Sequence, residues 1–89
     1  MTNEVVLTPG GQVTYRRHQQ RHEVWTFTAG EGEMVVEGEV RRVRAGDSVS
    51  VAPGQRYGCR AETELRVIEV QVGGSVADED VERFGFFWG

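Results

Sequence analysis

The sequence predicts an all-β domain, built as a sandwich or barrel of seven or eight short strands. Fifteen of the 89 residues are valine, a residue type that favours strands. Turn signals that contain glycine or proline recur at short intervals, and no stretch of a dozen residues has the 3.6-residue periodicity of an amphipathic helix. A chain of 89 residues is short for a domain, so we expect a single domain with a thin core.

The predicted strands lie between these turn signals. Glu37-Gly38 separates two alternating segments and predicts a tight hairpin, because glycine adopts positive φ without steric cost. The acidic segment Asp78–Arg83 is interpreted as a turn or a short helix. The eight candidate strands are Glu4–Leu7, Gln12–Arg17, His22–Thr28, Glu33–Glu37, Glu39–Arg44, Ser48–Val51, Tyr57–Ala61 and Leu65–Val72.

Alternation along a strand indicates which side chains share a face. Arg16 and His18 share one face of the second candidate strand. Glu23, Trp25 and Phe27 share a face of the third, and the two aromatic residues are expected in the core.

Composition excludes several classes of protein. The net charge is −4, from 14 acidic and 10 basic residues, and a nucleic-acid-binding protein would usually be basic. No apolar run approaches the roughly 20 residues of a membrane span, and the first residues have no signal-peptide pattern. The single Cys59 cannot form an internal disulfide. We therefore expect a cytoplasmic protein with no nucleic-acid or membrane partner.

The first half of the chain resembles the first motif of the cupin superfamily, which is a glycine, a His-x-His pair, a glutamate and a second glycine at fixed spacing. Gly10 opens the motif, Arg16 and His18 occupy the His-x-His positions, Glu23 is the acid, and Gly30 closes it. The resemblance implies an all-β cupin jelly roll, the double-stranded β-helix barrel.

The second cupin motif follows with no insertion in its spacing. Gly46 opens it, Gly54 is its internal glycine, and Tyr57 stands where the family has a histidine. Ala52 and Ala61 stand in place of the family's proline and asparagine. Both motifs together imply a single cupin domain over residues 1–89, with an N-terminal strand in 1–8 and an acidic, aromatic tail in 76–89.

Within the cupins, the chain resembles the type II mannose-6-phosphate isomerase domain, which also forms the C-terminal part of mannose-1-phosphate guanylyltransferases. That domain has a segment similar to Arg21-His22-Glu23-Val24-Trp25, with Arg, Glu and Trp at those places. It also ends in a manner similar to Val67–Gly73, an acidic stretch, and Val81-Glu82-Arg83-Phe84. The resemblance covers residues 9 to about 88.

The resemblance implies a divalent metal held by a Gln or His, a His, a Glu and a second His. This sequence keeps His18 and Glu23 but has Arg16 and Tyr57 at the other two positions. Arginine has no lone pair for a metal, and tyrosine would ligate only as a phenolate. We therefore predict no cofactor, with a divalent zinc, nickel, iron or manganese ion at His18 and Glu23 as the less favoured alternative.

Arg16 is expected to replace the metal as the local cation and to pair with Glu23. It would also suit a carboxylate or phosphate that enters the barrel. Each residue has a structural alternative: His18 as a core histidine, Glu23 as one half of a structural ion pair with Arg16, and Tyr57 as a space filler. Otherwise Tyr57 donates to a substrate oxygen, with its pKa lowered by Arg16.

Two functions follow from the resemblance. The first is an enzyme related to aldose–ketose sugar-phosphate isomerases, with His18 and Glu23 as the acid–base pair, Arg16 as the anchor and Tyr57 as a hydrogen-bond donor. The second is a non-catalytic cupin that binds a small anionic ligand in the barrel mouth or supports assembly only. Fold alone does not decide between them.

The remaining candidates have simple structural interpretations. Cys59 is expected to be a small apolar filler rather than a catalytic thiol. The arginines of the fifth candidate strand could form a phosphate patch, but Glu37 and Glu39 lie close by, so a solvated face is favoured. These arginines are Arg41, Arg42 and Arg44.

The end of the chain concentrates aromatic residues. Four of the eight aromatic side chains lie within the last six residues: Phe84, Phe86, Phe87 and Trp88. Because a free aromatic tail promotes aggregation, we expect it to dock on its own barrel or on a second subunit. Together with the thin core, this favours a homodimer.

Overall fold

The computed structural model of the chain describes residues 1–73 and 81–88, which form two packed antiparallel β-sheets. Among these residues, no helix is both long and apolar enough to cross a membrane. The strands are β1 (Thr2–Leu7), β2 (Gln12–His18), β3 (His22–Ala29), β4 (Glu31–Val36), β5 (Glu39–Arg44), β6 (Ser48–Val51), β7 (Tyr57–Ala61), β8 (Leu65–Val72) and β9 (Val81–Arg83).

The strands of each sheet are mostly distant in sequence. One sheet has the order β1-β8-β3-β6 and the other has the order β5-β4-β7-β2-β9. The predicted all-β class and the eight predicted strands are confirmed. The interpretation of Asp78–Arg83 as a turn or helix is wrong for its last three residues, because Val81–Arg83 pairs with β2 as β9. The rest of that segment lies outside the described residues.

Two turns require residues with positive φ. The predicted hairpin is present between β4 and β5, where Glu37 and Gly38 have φ values of 49° and 79°. Both residues of the turn need positive φ, which matches the twist of the flanking strands. At Gly30, a Cβ atom would collide with the carbonyl oxygen of Glu64, so only glycine fits there.

The space between the sheets has an apolar part and a polar part. Phe27, Leu65 and Val67 are almost fully buried in the apolar part, together with residues from the opposite sheet. The buried polar residues lie at the end where β2 and β8 finish and β3 begins: His18, Arg21, Glu23, Glu69 and Gln71. The polar end therefore contains the buried groups that could bind a ligand or take part in catalysis.

Candidate functional site

A cavity of about 200 Å³ lies at the polar end of the sandwich. It is smaller than the roughly 300–1,000 Å³ of pockets for drug-sized ligands. The cavity therefore suits a small molecule or one end of a larger one. The polar residues that line it are Arg16, His18, Arg21, Tyr57, Glu69 and Arg83.

Glu23 lies behind this cavity and is 1% exposed. Arg21 Nε donates to its Oε2 at 2.8 Å, and Trp25 Nε1 donates to its Oε1 at 2.9 Å. Tyr57 Oη donates to Oε2 at 3.2 Å. A buried carboxylate is costly unless it is paired and hydrogen-bonded, and these three donors meet that requirement. Both oxygens of Glu23 are thus already engaged.

The cation beside Glu23 is Arg21. The Nη2 atom of Arg21 is 2.7 Å from His18 Nε2, and His18 Nε2 is 3.7 Å from Glu23 Oε2. Because a guanidinium only donates hydrogen bonds, His18 Nε2 accepts and its ring is neutral in this arrangement. Arg21 therefore bridges, by hydrogen bonds, the two residues that the cupin resemblance identified as retained metal ligands.

The predicted Arg16–Glu23 ion pair is wrong. Arg16 instead donates to its own strand, from Nε to Thr14 O at 3.0 Å and from Nη2 to Thr14 Oγ1 at 2.6 Å. Arg16 still lines the cavity beside His18, as their shared face predicted. Sequence reasoning missed the role of Arg21, although it alternates with Glu23 and Trp25 and so carried the signal of an inward face.

Tyr57 is buried, and its hydroxyl is bound to Glu23. Burial and then the negative charge of Glu23 raise the pKa of Tyr57, and together they outweigh the opposing charge of Arg16. The charge of Arg16 acts in the predicted direction, but the predicted net lowering of the Tyr57 pKa is wrong because burial and Glu23 outweigh it. Tyr57 is a neutral phenol, with its ring edge-on to Trp25 at 5.7 Å between centroids.

Glu69 is a second buried acid that sequence reasoning missed. It lies on β8 directly opposite Trp25 and accepts from Gln71 Nε2 at 2.7 Å. Burial raises the pKa of Glu69, and the negative charge of Glu23 adds to that effect. The signal was present in the sequence, since Glu69 continues the inward alternation of Leu65 and Val67.

The four positions of the family's metal ligands do not fit a divalent cation. Arg16 offers no lone pair, and Tyr57 is protonated. The Arg21 guanidinium is hydrogen-bonded to both His18 Nε2 and Glu23 Oε2, the two atoms that a metal would need. Among the residues that the structure describes, no group of three or more histidine, cysteine or acidic side chains could hold a metal. A divalent ion at this place would first have to displace Arg21.

The C-terminal segment, residues 81–88, docks on its own barrel. Phe84 N donates to Tyr15 O at 2.8 Å, and the rings of Tyr15 and Phe86 are 4.9 Å apart. Phe86 packs edge-on against Trp88, whereas Phe87 is 86% exposed. Three guanidinium groups of the described residues stack on this segment, Arg17 and Arg56 over Phe84 at 5.3 and 4.1 Å, and Arg60 over Trp88 at 5.1 Å. The homodimer stays a prediction.

The other candidates lie away from the cavity. Cys59 is fully buried, and burial raises the pKa of its thiol to about 12, as suits a core filler. Arg41, Arg42 and Arg44 are exposed on β5. Arg42 pairs with Glu62 at 2.8 Å, which agrees with a solvated face.

Comparison with known proteins identifies the family. Residues 3–73 match the family model described as "Cupin domain". The chain belongs to the cupin family. The match covers both motifs and eight of the strands, so the two sheets form the cupin double-stranded β-helix.

The curated relatives of this cupin are much longer proteins. It is 26% identical over 87 residues to "Mannose-1-phosphate guanylyltransferase" of Salmonella montevideo, covering 96% of this chain and 18% of the relative. It is 28% identical over 86 residues to the protein of the same name from Escherichia coli, covering 91% and 18%. The cupin therefore spans less than a fifth of these relatives, which agrees with the resemblance to their C-terminal domain.

Solved structures confirm the fold. A Klebsiella pneumoniae protein with a double-stranded β-helix domain superposes with a TM-score of 0.83 at 22% identity, over 96% of this chain and 74% of that chain. An RmlC-like cupin from Shewanella frigidimarina gives a TM-score of 0.79 at 23% identity, over 89% and 69%. At these identities the likeness establishes the cupin fold alone.

Proposed function

We propose that this cupin binds a small anionic ligand of the sugar-phosphate class in the cavity at its polar end, without a metal ion. The proposal rests on the different partners of two guanidinium groups, that of Arg16 on β2 and that of Arg21 just before β3. Arg21 is paired with Glu23, whereas Arg16 lines the cavity and, within the described part of the chain, hydrogen-bonds only to the neutral Thr14. Arg16 is thus available to an anion.

The charges around the cavity favour an anion. Arg21 pairs with Glu23, and among the described residues the cavity is lined by three arginines, Arg16, Arg21 and Arg83, against one acid, Glu69. Arg16 therefore places a positive charge beside a cavity that buried side chains line in part, where electrostatic attraction is stronger than in bulk water. A guanidinium binds carboxylate and phosphate groups in a bidentate manner. The curated relatives are named as mannose-1-phosphate guanylyltransferases, and the mannose phosphate in that name supports the sugar-phosphate class.

Binding is favoured over catalysis by the position of Glu23. The carboxylate does not line the cavity, is 1% exposed and is held by three donors, so a ligand in the cavity would reach it only after the surrounding side chains move. His18 Nε2 is likewise occupied by Arg21. The acid–base pair expected from the isomerase resemblance is therefore locked in internal hydrogen bonds.

The test is a calorimetric titration of the protein with mannose 6-phosphate, with and without EDTA. We expect binding that EDTA does not change, and a loss of affinity of about tenfold or more in Arg16→Gln, which removes a charge-assisted hydrogen bond. Arg41→Gln is the matched control, because it removes the same charge from an exposed position of β5. Equal affinities in the two variants would contradict the proposal.

A coupled assay for fructose 6-phosphate distinguishes binding from isomerisation. Turnover that depends on Glu23 and His18 would favour the isomerase alternative. The absence of binding by any sugar phosphate or small acid would favour a cupin that serves assembly only.

A further inference from the structure

β9 brings a second guanidinium, that of Arg83, to the same cavity. In the antiparallel pairing of β2 with β9, Arg83 is directly opposite Arg16. Like charges at directly opposed positions of an antiparallel pair are destabilising. Among the described residues, neither Arg16 nor Arg83 forms an ion pair, and the one acid that lines the cavity with them, Glu69, accepts from Gln71 Nε2. The two positive charges therefore line the cavity together without a direct ion pair.

The docking of β9 does not depend on Arg83. Glu82 points to the other face of β9, where it accepts from Arg17 Nε at 2.9 Å and from Gln19 Nε2 at 3.0 Å. Phe84, two residues after Glu82, donates its backbone N–H to Tyr15 O and lies under the guanidinium of Arg56. The strand is thus fixed without any ion pair from Arg83. Arg83 is exposed and lines the cavity, so its guanidinium is accessible to a ligand that enters there.

We propose that Arg16 and Arg83 form a two-arginine clamp for the phosphate group of a sugar phosphate, and that the clamp selects phosphate over carboxylate. This inference rests on the proposed function. A phosphate monoester carries a charge of about −1.5 to −2 and three terminal oxygens, enough for bidentate contacts to two guanidinium groups. A carboxylate has one charge and two oxygens, so a single arginine satisfies it.

The clamp also gives the C-terminal segment a part in recognition. The cupin motifs supply Arg16 from β2, and β9 supplies Arg83 from beyond residues 3–73, the part that matches the cupin family. A bound phosphate would relieve the repulsion between the two arginines across the β2–β9 pair. Ligand binding and the docking of residues 81–88 should therefore stabilise each other.

The experiment compares two ligands of similar sugar size, mannose 6-phosphate and glucuronate, by calorimetry at fixed ionic strength. In Arg83→Gln, we expect the affinity for mannose 6-phosphate to fall about tenfold or more and the affinity for glucuronate to fall less than about threefold. Arg44→Gln, an exposed residue of β5, is the charge-matched control and should leave both affinities unchanged. Arg83→Lys retains the charge but not the bidentate geometry, so its loss should be intermediate.

The outcomes separate this inference from the proposed function. Loss of binding in Arg16→Gln with full binding in Arg83→Gln would overturn the clamp and leave anion binding intact. Equal losses of phosphate and carboxylate affinity in Arg83→Gln would overturn the selectivity. Wild-type protein that binds neither ligand would overturn the proposed function itself. An unchanged indole N–H resonance of Trp88 in Arg83→Gln establishes that the C-terminal segment is still docked in the variant.

Discussion

The two ends of the barrel interior are built from the same strands but serve different purposes. At one end, Phe27 and Leu65 fill the space between the sheets with apolar side chains. At the other end, β3 and β8 turn Glu23 and Glu69 inward, although a buried acid is costly. The apolar end stabilises the fold, and the buried acids of the polar end offset part of that stability. This division separates the side chains that build the core from the side chains to which the proposed binding function is assigned.

The largest expected effect lies at the apolar end. Phe27→Ala should lower the free energy of unfolding by about 3–5 kcal/mol, because it leaves a cavity where the side chain is 1% exposed. Val6→Ala is the control at a 45% exposed position and should change stability by less than about 0.5 kcal/mol. Denaturant unfolding measures both. Similar losses in the two variants would contradict the assignment of the core.

Glu23→Gln tests the polar end and should cost about 3 kcal/mol, since it removes the carboxylate from a buried ion pair with Arg21. The double variant Arg21→Gln/Glu23→Gln should lose less than the sum of the two single variants, because it removes both charges. Additive losses, measured by the same unfolding experiment, would mean that the pair is not coupled.

Glu69→Gln should act in the opposite direction and stabilise the protein at neutral pH. Burial and the charge of Glu23 raise the pKa of Glu69 in the folded state. The folded protein therefore binds more protons than the unfolded chain, so stability rises as the pH falls from neutral through the raised pKa. The amide removes this cost at pH 7 and flattens the dependence of unfolding on pH. A destabilised variant, with an unchanged pH profile, would contradict the shift.

The sequence predicted the fold better than it predicted the site. Strands were recognisable because β2, β3 and β8 alternate between turn signals, and both cupin motifs kept their spacing. The site depends on which guanidinium reaches Glu23, and spacing does not decide between Arg16 and Arg21. Arg16 is retained by Thr14 on its own strand, a contact between side chains that no periodicity encodes. β9 was missed because three residues are too few to show alternation.

The smallest expected effect concerns the C-terminal segment, which forms one wall of the polar end. A hydrogen bond from Arg17 and then one from Gln19 hold the pKa of Glu82 below its usual range. The docked segment therefore binds fewer protons at Glu82 than the released one. Docking is favoured above the ordinary glutamate pKa of about 4.3 and weakens as the pH falls through the lowered value.

The indole N–H resonances of Trp25 and Trp88 report the two regions separately in an NMR titration from pH 7 to pH 3. We expect Trp88 to move first while Trp25, which is bonded to Glu23, still reports a folded interior. Glu82→Gln should remove the early transition of Trp88, and Glu64→Gln, at an exposed acid paired with Arg66, is the matched control. If both indoles moved together in the wild type, the segment and the barrel would be one cooperative unit. Because Arg83 reaches the cavity from this segment, an early release of Trp88 would mean that the wall of the polar end can open while the apolar end stays intact.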